Sequence, residues 1–142
     1  MLESLERSNG QPGDTGSTEK IKPKCLLVDD DDGIIMGVNF MFDKFNFQAV
    51  KCYSVEEALD AIKKSFPPPR VLFLDHSLKS GGSEGLIISK KILEMIKDGS
   101  LPEMKIYSTT SNREVFSEYD KLGIKHVDKD DFEGLTSIIS GE

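Results

Sequence analysis

From Lys24 onward the chain alternates two kinds of apolar pattern. Residues 24–28 form a short continuous apolar run, the signature of a strand buried on both faces of a parallel sheet. Residues 33–45 then place Ile34, Val38, Met41, Phe42 and Phe45 at helical spacing on one face. Residues 48–53 predict a second strand. Ser54 followed by Glu57 makes a capping box that opens a helix over 55–66, and Pro67, Pro68 and Pro69 close the segment. Residues 70–75 predict the third and most apolar strand, and after a glycine-rich loop Ile88, Ile92, Met95 and Ile96 form the stripe of a third helix. A fourth strand over 104–109 precedes a helix marked by Val115, Tyr119 and Leu122, which stops at Gly123. Residues 125–128 and 132–140 supply a short fifth strand and a weak last helix.

Five strands alternating with five helices predict an α/β domain with a parallel sheet covered on both faces. Residues 1–22, rich in Gly, Ser and charge without an apolar period, predict a flexible polar tail, leaving 23–142 as the domain. The 142 residues suffice for one domain with a proper core, not two.

Composition then narrows the function. A formal net charge of -7 disfavours direct nucleic-acid binding through the phosphate backbone. No apolar stretch approaches the roughly 18 residues that span a bilayer, so no membrane insertion is expected, and the polar N-terminus is unlike a signal peptide. Cys25 and Cys52 lie in apolar, strand-like surroundings without metal-ligand spacing. They predict two buried thiols in a reducing, cytoplasmic compartment.

Ligands of open α/β sheets gather outside the carboxyl ends of the strands. At those ends stand Asp29 and Asp30 after the first strand, Asp75 after the third, Ser108, Thr109 and Thr110 at the fourth, and Lys129 after the fifth. Clustered carboxylates are hard oxygen ligands suited to Mg²⁺, which offsets their mutual repulsion. A carboxylate beside that ion can act as a nucleophile toward phosphorus, with a hydroxyl and an ammonium binding the phosphoryl oxygens.

The stretches "CLLVDDDDGI", "VLFLDHSL", "IYSTTS" and "HVDK" resemble, in order and spacing, the CheY-like receiver domain of two-component response regulators over about residues 23–140. The resemblance implies a doubly wound (βα)5, flavodoxin-like three-layer sandwich with strand order 2-1-3-4-5. It implies Asp75 as phosphoacceptor and Asp29 and Asp30 as the acidic pair, Asp30 being the more direct Mg²⁺ ligand. The backbone carbonyl of Ser77 completes the metal site. Thr109 becomes the phosphate-sensing hydroxyl, with Ser108 and Thr110 as alternatives, Lys129 the phosphoryl-contacting lysine, and His126 the residue at the aromatic switch position. The implied partners are a sensor histidine kinase or histidine phosphotransfer protein and an unknown downstream protein target. The implied chemistry is acceptance and loss of a phosphoryl group, not conventional enzymatic turnover. Either a stand-alone regulator or an excised receiver is expected.

The chain departs from the family pattern in a longer loop after Asp75, in Asp130 where a proline commonly follows the lysine, and in His126 for Tyr or Phe. These departures sustain an alternative, a receiver-like interaction adaptor that is never phosphorylated. Two other readings fail. A calcium loop with Gly33 at its sixth position needs acids where Val28 and Asn39 stand. A haloacid-dehalogenase-type phosphohydrolase needs an acid where Ser77 stands. Within the acidic run Asp32 is expected to cap the first helix and Asp31 to be solvated. His76 is expected to be exposed and His126 half-buried.

Overall fold

The computed structural model describes residues 24–78 and 82–140. The tail expected over 1–22 and residues 79–81 of the glycine-rich loop lie outside the described residues. Five strands alternate with five helices: β1 (Cys25–Asp29), α1 (Asp32–Met41), β2 (Phe47–Lys51), α2 (Val55–Lys64), β3 (Val71–Leu74), α3 (Glu84–Lys97), β4 (Lys105–Ser108), α4 (Phe116–Lys121), β5 (Lys125–His126) and α5 (Phe132–Ile139). A single 3-10 turn over Arg113–Val115 leads into α4. All strand pairs are parallel, in the order β2-β1-β3-β4-β5, as the resemblance implied.

The period-2 alternation of the strands splits the core in two. Leu26, Val28, Leu72, Leu74 and Ile106 face a layer holding Ala58 and Ile62 of α2, Ile88 and Ile92 of α3 and Tyr119 of α4. Cys25, Leu27, Phe47, Ala49 and Phe73 face Val38 of α1 and Leu135 and Ile139 of α5. Each fully buried Leu or Ile contributes roughly 1.5–3 kcal/mol of transfer free energy, so the two layers hold the sheet from both sides. Both cysteines are buried and free, as expected.

Caps and turns refine the element ends. Ser54 caps α2 as expected, its Oγ accepting from the Glu57 amide at 3.1 Å, but the return bond of the box is shifted by one residue, Glu57 Oε1 accepting from the Tyr53 amide. At α1 the expectation is off by one residue. Asp31, not Asp32, is the cap, accepting from the Gly33 and Ile34 amides at 2.8 and 3.2 Å. Asp32 is the first helical residue and pairs with Lys51 Nζ at 2.9 Å. Gly123, with φ 75°, occupies the left-handed position that ends α4. Of the apolar stripe expected on α1, Val38 and Phe42 are buried while Met41 is exposed.

The edge strand β2 is closed by α1. The Asn39 amide group donates to the Ala49 carbonyl at 3.2 Å, and its oxygen accepts the Ala49 N–H at 2.8 Å. One side chain thereby satisfies both peptide groups that Ala49 turns away from β1. Asn39→Ala is expected to cost about 1–2 kcal/mol, because it strands two half-buried backbone groups. Urea denaturation should show a lower midpoint with an unchanged slope; an unaltered midpoint would contradict the edge-closing role.

Candidate functional site

Parallel strands deliver their ends to one edge, and the alternation that sends Leu27 and Phe73 toward α1 and α5 carries on to Asp29 and Asp75. Asp29 is fully buried. Its Oδ1 accepts from the Asp30 and Asp31 amides at 2.8 and 3.0 Å, and its Oδ2 accepts from Lys129 Nζ at 2.8 Å. The same ammonium lies 3.3 Å from Asp75 Oδ1. Asp29, Asp30 and Asp75 each offer one oxygen within 4.8 Å of the others, a cluster suited to a small hard cation. Lys129 reaches it although Asp130 replaces the usual proline.

The carboxylates feel one another. Burial, and next the charge of Asp29, push the Asp75 carboxyl up to about 6, against the pull of Lys129. Asp30 is raised as well, by burial and then by Asp29. Burial works against the charge on Lys129, but its bonds to Asp29 and Asp75 prevail and raise its pKa. The site therefore holds more negative charge than its own ammonium neutralises, which is the donor set a divalent cation requires.

The three hydroxyls at the end of β4 are distinguished by their partners. Ser108 Oγ accepts weakly from the Thr110 amide, and Thr110 Oγ1 accepts from the Asn112 amide at 3.1 Å. Thr109 is fully buried and its Oγ1 has no partner. Register places Thr109, two residues after Tyr107, on the same side of the sheet as Asp75. An unpartnered buried hydroxyl costs free energy unless a ligand completes it.

Two histidines depart from expectation. His126 is exposed, not half-buried, because β5 is an edge strand of two exposed residues; its ring packs tilted against Phe116 of α4, with 4.3 Å between centroids. His76 is buried, not exposed: its Nδ1 is 2.8 Å from the Tyr119 hydroxyl. Burial holds this imidazole below its ordinary pKa, against the charge of Glu84.

Sequence reasoning missed Glu84, Gly85 and Tyr119. Glu84 is buried and accepts from the Leu78 amide at 2.9 Å and the Gly82 amide at 3.3 Å. Burial raises its pKa, but these amides outweigh that and hold it low. Ser77, whose carbonyl the resemblance assigned to the metal, thus lies between two anchored residues, His76 and Leu78. Gly85 is packed so closely that a Cβ would collide with the Asp75 carbonyl oxygen and sit 2.8 Å from Tyr119 Oη. An acid at the start of a helix after a glycine loop is the signal that could have found Glu84.

No protein-family model matches this chain, and no curated protein matches it. Solved structures do. The adenylate cyclase from Rhodopirellula baltica is 24% identical with a TM-score of 0.66, covering 84% of this chain and 86% of its own. The response regulator TrrA from Thermotoga maritima, solved in complex with Mg(2+)-BeF, is 20% identical with a TM-score of 0.64, covering 83% and 96%. The non-phosphorylated HemR receiver domain from Leptospira biflexa is 19% identical with a TM-score of 0.62, covering 83% and 90%. This chain has the CheY-like receiver-domain fold.

The raised Asp75 pKa has a consequence for stability. A carboxyl raised above its unfolded value binds its proton more tightly when folded, so ionised Asp75 weakens the metal-free fold at neutral pH. The cost, on the order of 2–3 kcal/mol above pH 6, fades as pH falls from about 6 toward 4. Asp75→Asn is therefore expected to melt higher than wild type at pH 7.5 in chelator, with the gap closing by pH 4.5. A wild type at least as stable as the variant at pH 7.5 would rule this out.

Proposed function

We propose that this chain is a phosphoryl-accepting receiver module of a two-component phosphorelay, with Asp75 as acceptor and a phosphohistidine of a sensor kinase or phosphotransfer protein as donor. The observation that carries the reading is the convergence of Asp29, Asp30 and Lys129 on the Asp75 carboxylate. The fold likeness and the unpartnered Thr109 hydroxyl support it.

Each residue has a definable task. An Asp75 oxygen attacks phosphorus as the bond to the donor imidazole nitrogen breaks, and the departing imidazole keeps that electron pair and takes a proton from solvent. The product is an acyl phosphate. Asp29 and Asp30, with Asp75 and the Ser77 carbonyl, are the residues that would hold Mg²⁺. When bound, that ion supplies positive charge for the phosphoryl oxygens. Lys129 exchanges its bond to Asp75 for one to a phosphoryl oxygen, and the Thr109 hydroxyl donates to another. These added contacts exist only in the phosphorylated state, so they bias the domain between two arrangements that a downstream protein can distinguish. The module is a switch that accepts and loses one phosphoryl group, working in the cytoplasm. Among the described residues no helix is long and apolar enough to cross a membrane.

Incubation with Mg²⁺ and acetyl phosphate should add one phosphoryl group, detected by intact-mass spectrometry, to wild type and not to Asp75→Asn. Chelator should abolish the adduct, and Thr109→Ala or Lys129→Ala should slow or destabilise it roughly tenfold or more. A wild type that takes up no phosphoryl group would favour the adaptor reading, which the replacement of proline by Asp130 keeps in play. In a separate titration, Asp30→Ala should weaken Mg²⁺ binding far more than Asp32→Ala, whose carboxylate is committed to Lys51. Equal losses would refute the division of roles within the acidic run.

A further inference from the structure

The residues on either side of the site turn opposite ways. Asp75 faces the carboxylate cluster, while His76, the next residue, points into the opposite layer and meets Tyr119 of α4. The Tyr119 hydroxyl also lies against Gly85, the residue that packs on the Asp75 carbonyl. Tyr119 therefore stands behind the end of β3 that carries the Asp75 carboxylate.

The other bonds of this segment stay local. The His76 carbonyl accepts from the Gly85 amide, the Ser77 hydroxyl donates to the Gly82 carbonyl, and the Leu78 amide donates to Glu84. These partners all belong to the following loop and the start of α3. The His76–Tyr119 bond is the one of the set that reaches a different helix. Tyr119 is also the single buried residue of the six in α4, and its ring anchors that helix in the core. Its carbonyl accepts from the Ile124 amide, which ties the same residue to the approach to β5. Steric room is absent at the junction, since a methyl group at Gly85 would strike Asp75, His76 and Tyr119 together. Close-packed junctions of this kind transmit displacement because they cannot absorb it. His126 meets α4 only at its first residue, Phe116, from an exposed position on the edge strand.

We propose that Tyr119 is a positioning residue that couples the Asp75–Leu78 segment to α4, so that a change at Asp75 reaches α4 through the His76–Tyr119 hydrogen bond and not through His126. The proposal rests on the receiver reading given above. In that reading it assigns the coupling to a buried tyrosine on α4 in place of an aromatic residue on β5.

Amide chemical-shift mapping of the full chain tests it, with Mg²⁺ and beryllofluoride as the probe. Wild type should respond around Asp75 and along Phe116–Lys121. In Tyr119→Phe, shown to be folded by its melting curve, the Asp75 response should persist while the α4 response falls by about threefold or more. His76→Leu removes the same bond from the other side and should give the same loss, whereas His126→Ala should leave the response intact at Asp75 and along residues 117–121, beyond its own contact with Phe116. An undiminished α4 response in Tyr119→Phe, its loss in His126→Ala, or a wild type that responds at Asp75 but not at α4 would each overturn the coupling and leave the receiver reading standing. A wild type that responds nowhere would overturn the receiver reading itself.

Discussion

The buried carboxylate of Asp29 is the constraint around which the rest of the site is arranged. An ionised group with no solvent exposure survives only if its lone pairs are met, and here two backbone amides and one ammonium meet them. The two amides come from residues 30 and 31, so the chain must turn sharply at the end of β1 and enter α1 at once. The ammonium comes from Lys129, a hundred residues away in sequence, so β5 must be docked before Asp29 is satisfied. Sheet order, the first turn and the last strand are thus linked through one side chain. Asp75 is drawn into the same arrangement as the second carboxylate under Lys129, and burial beside the Asp29 charge raises its pKa against the pull of that ammonium.

Much of this was legible in the sequence because strand ends are easy to locate. Continuous apolar runs stop where acids begin, and a parallel sheet gathers those stops along one edge, so Asp29, Asp75 and Lys129 could be placed together without coordinates. The strand order required the family likeness, since alternation alone does not say which strands are neighbours. The cap of α1 slipped by one residue because Asp31 and Asp32 are chemically identical, and only backbone geometry tells a cap from a first helical residue.

The remaining misses are of long-range origin. His76 was expected to be exposed because nothing near it in sequence offers a partner; Tyr119 lies 43 positions away. The choice among Ser108, Thr109 and Thr110 could not be made from composition either. It depends on which hydroxyls are consumed by amides of the following turn, and that turn takes shape only when the 3-10 segment before α4 is in place. His126 was expected to be half-buried as a residue within a strand over 125–128, whereas β5 is two residues long and both of them are exposed at the margin of the sheet.

The amide of Asn39, described above as closing β2, also sets a lateral boundary for the molecule. A parallel sheet ending in unpaired peptide groups is a template on which copies of the same strand can stack into fibrils. Here a newcomer would first have to displace both hydrogen bonds that Ala49 already makes. Protection against self-templated growth at that point is therefore built into a helix, and leaves Phe47 and Ala49 of the strand itself free to serve the core.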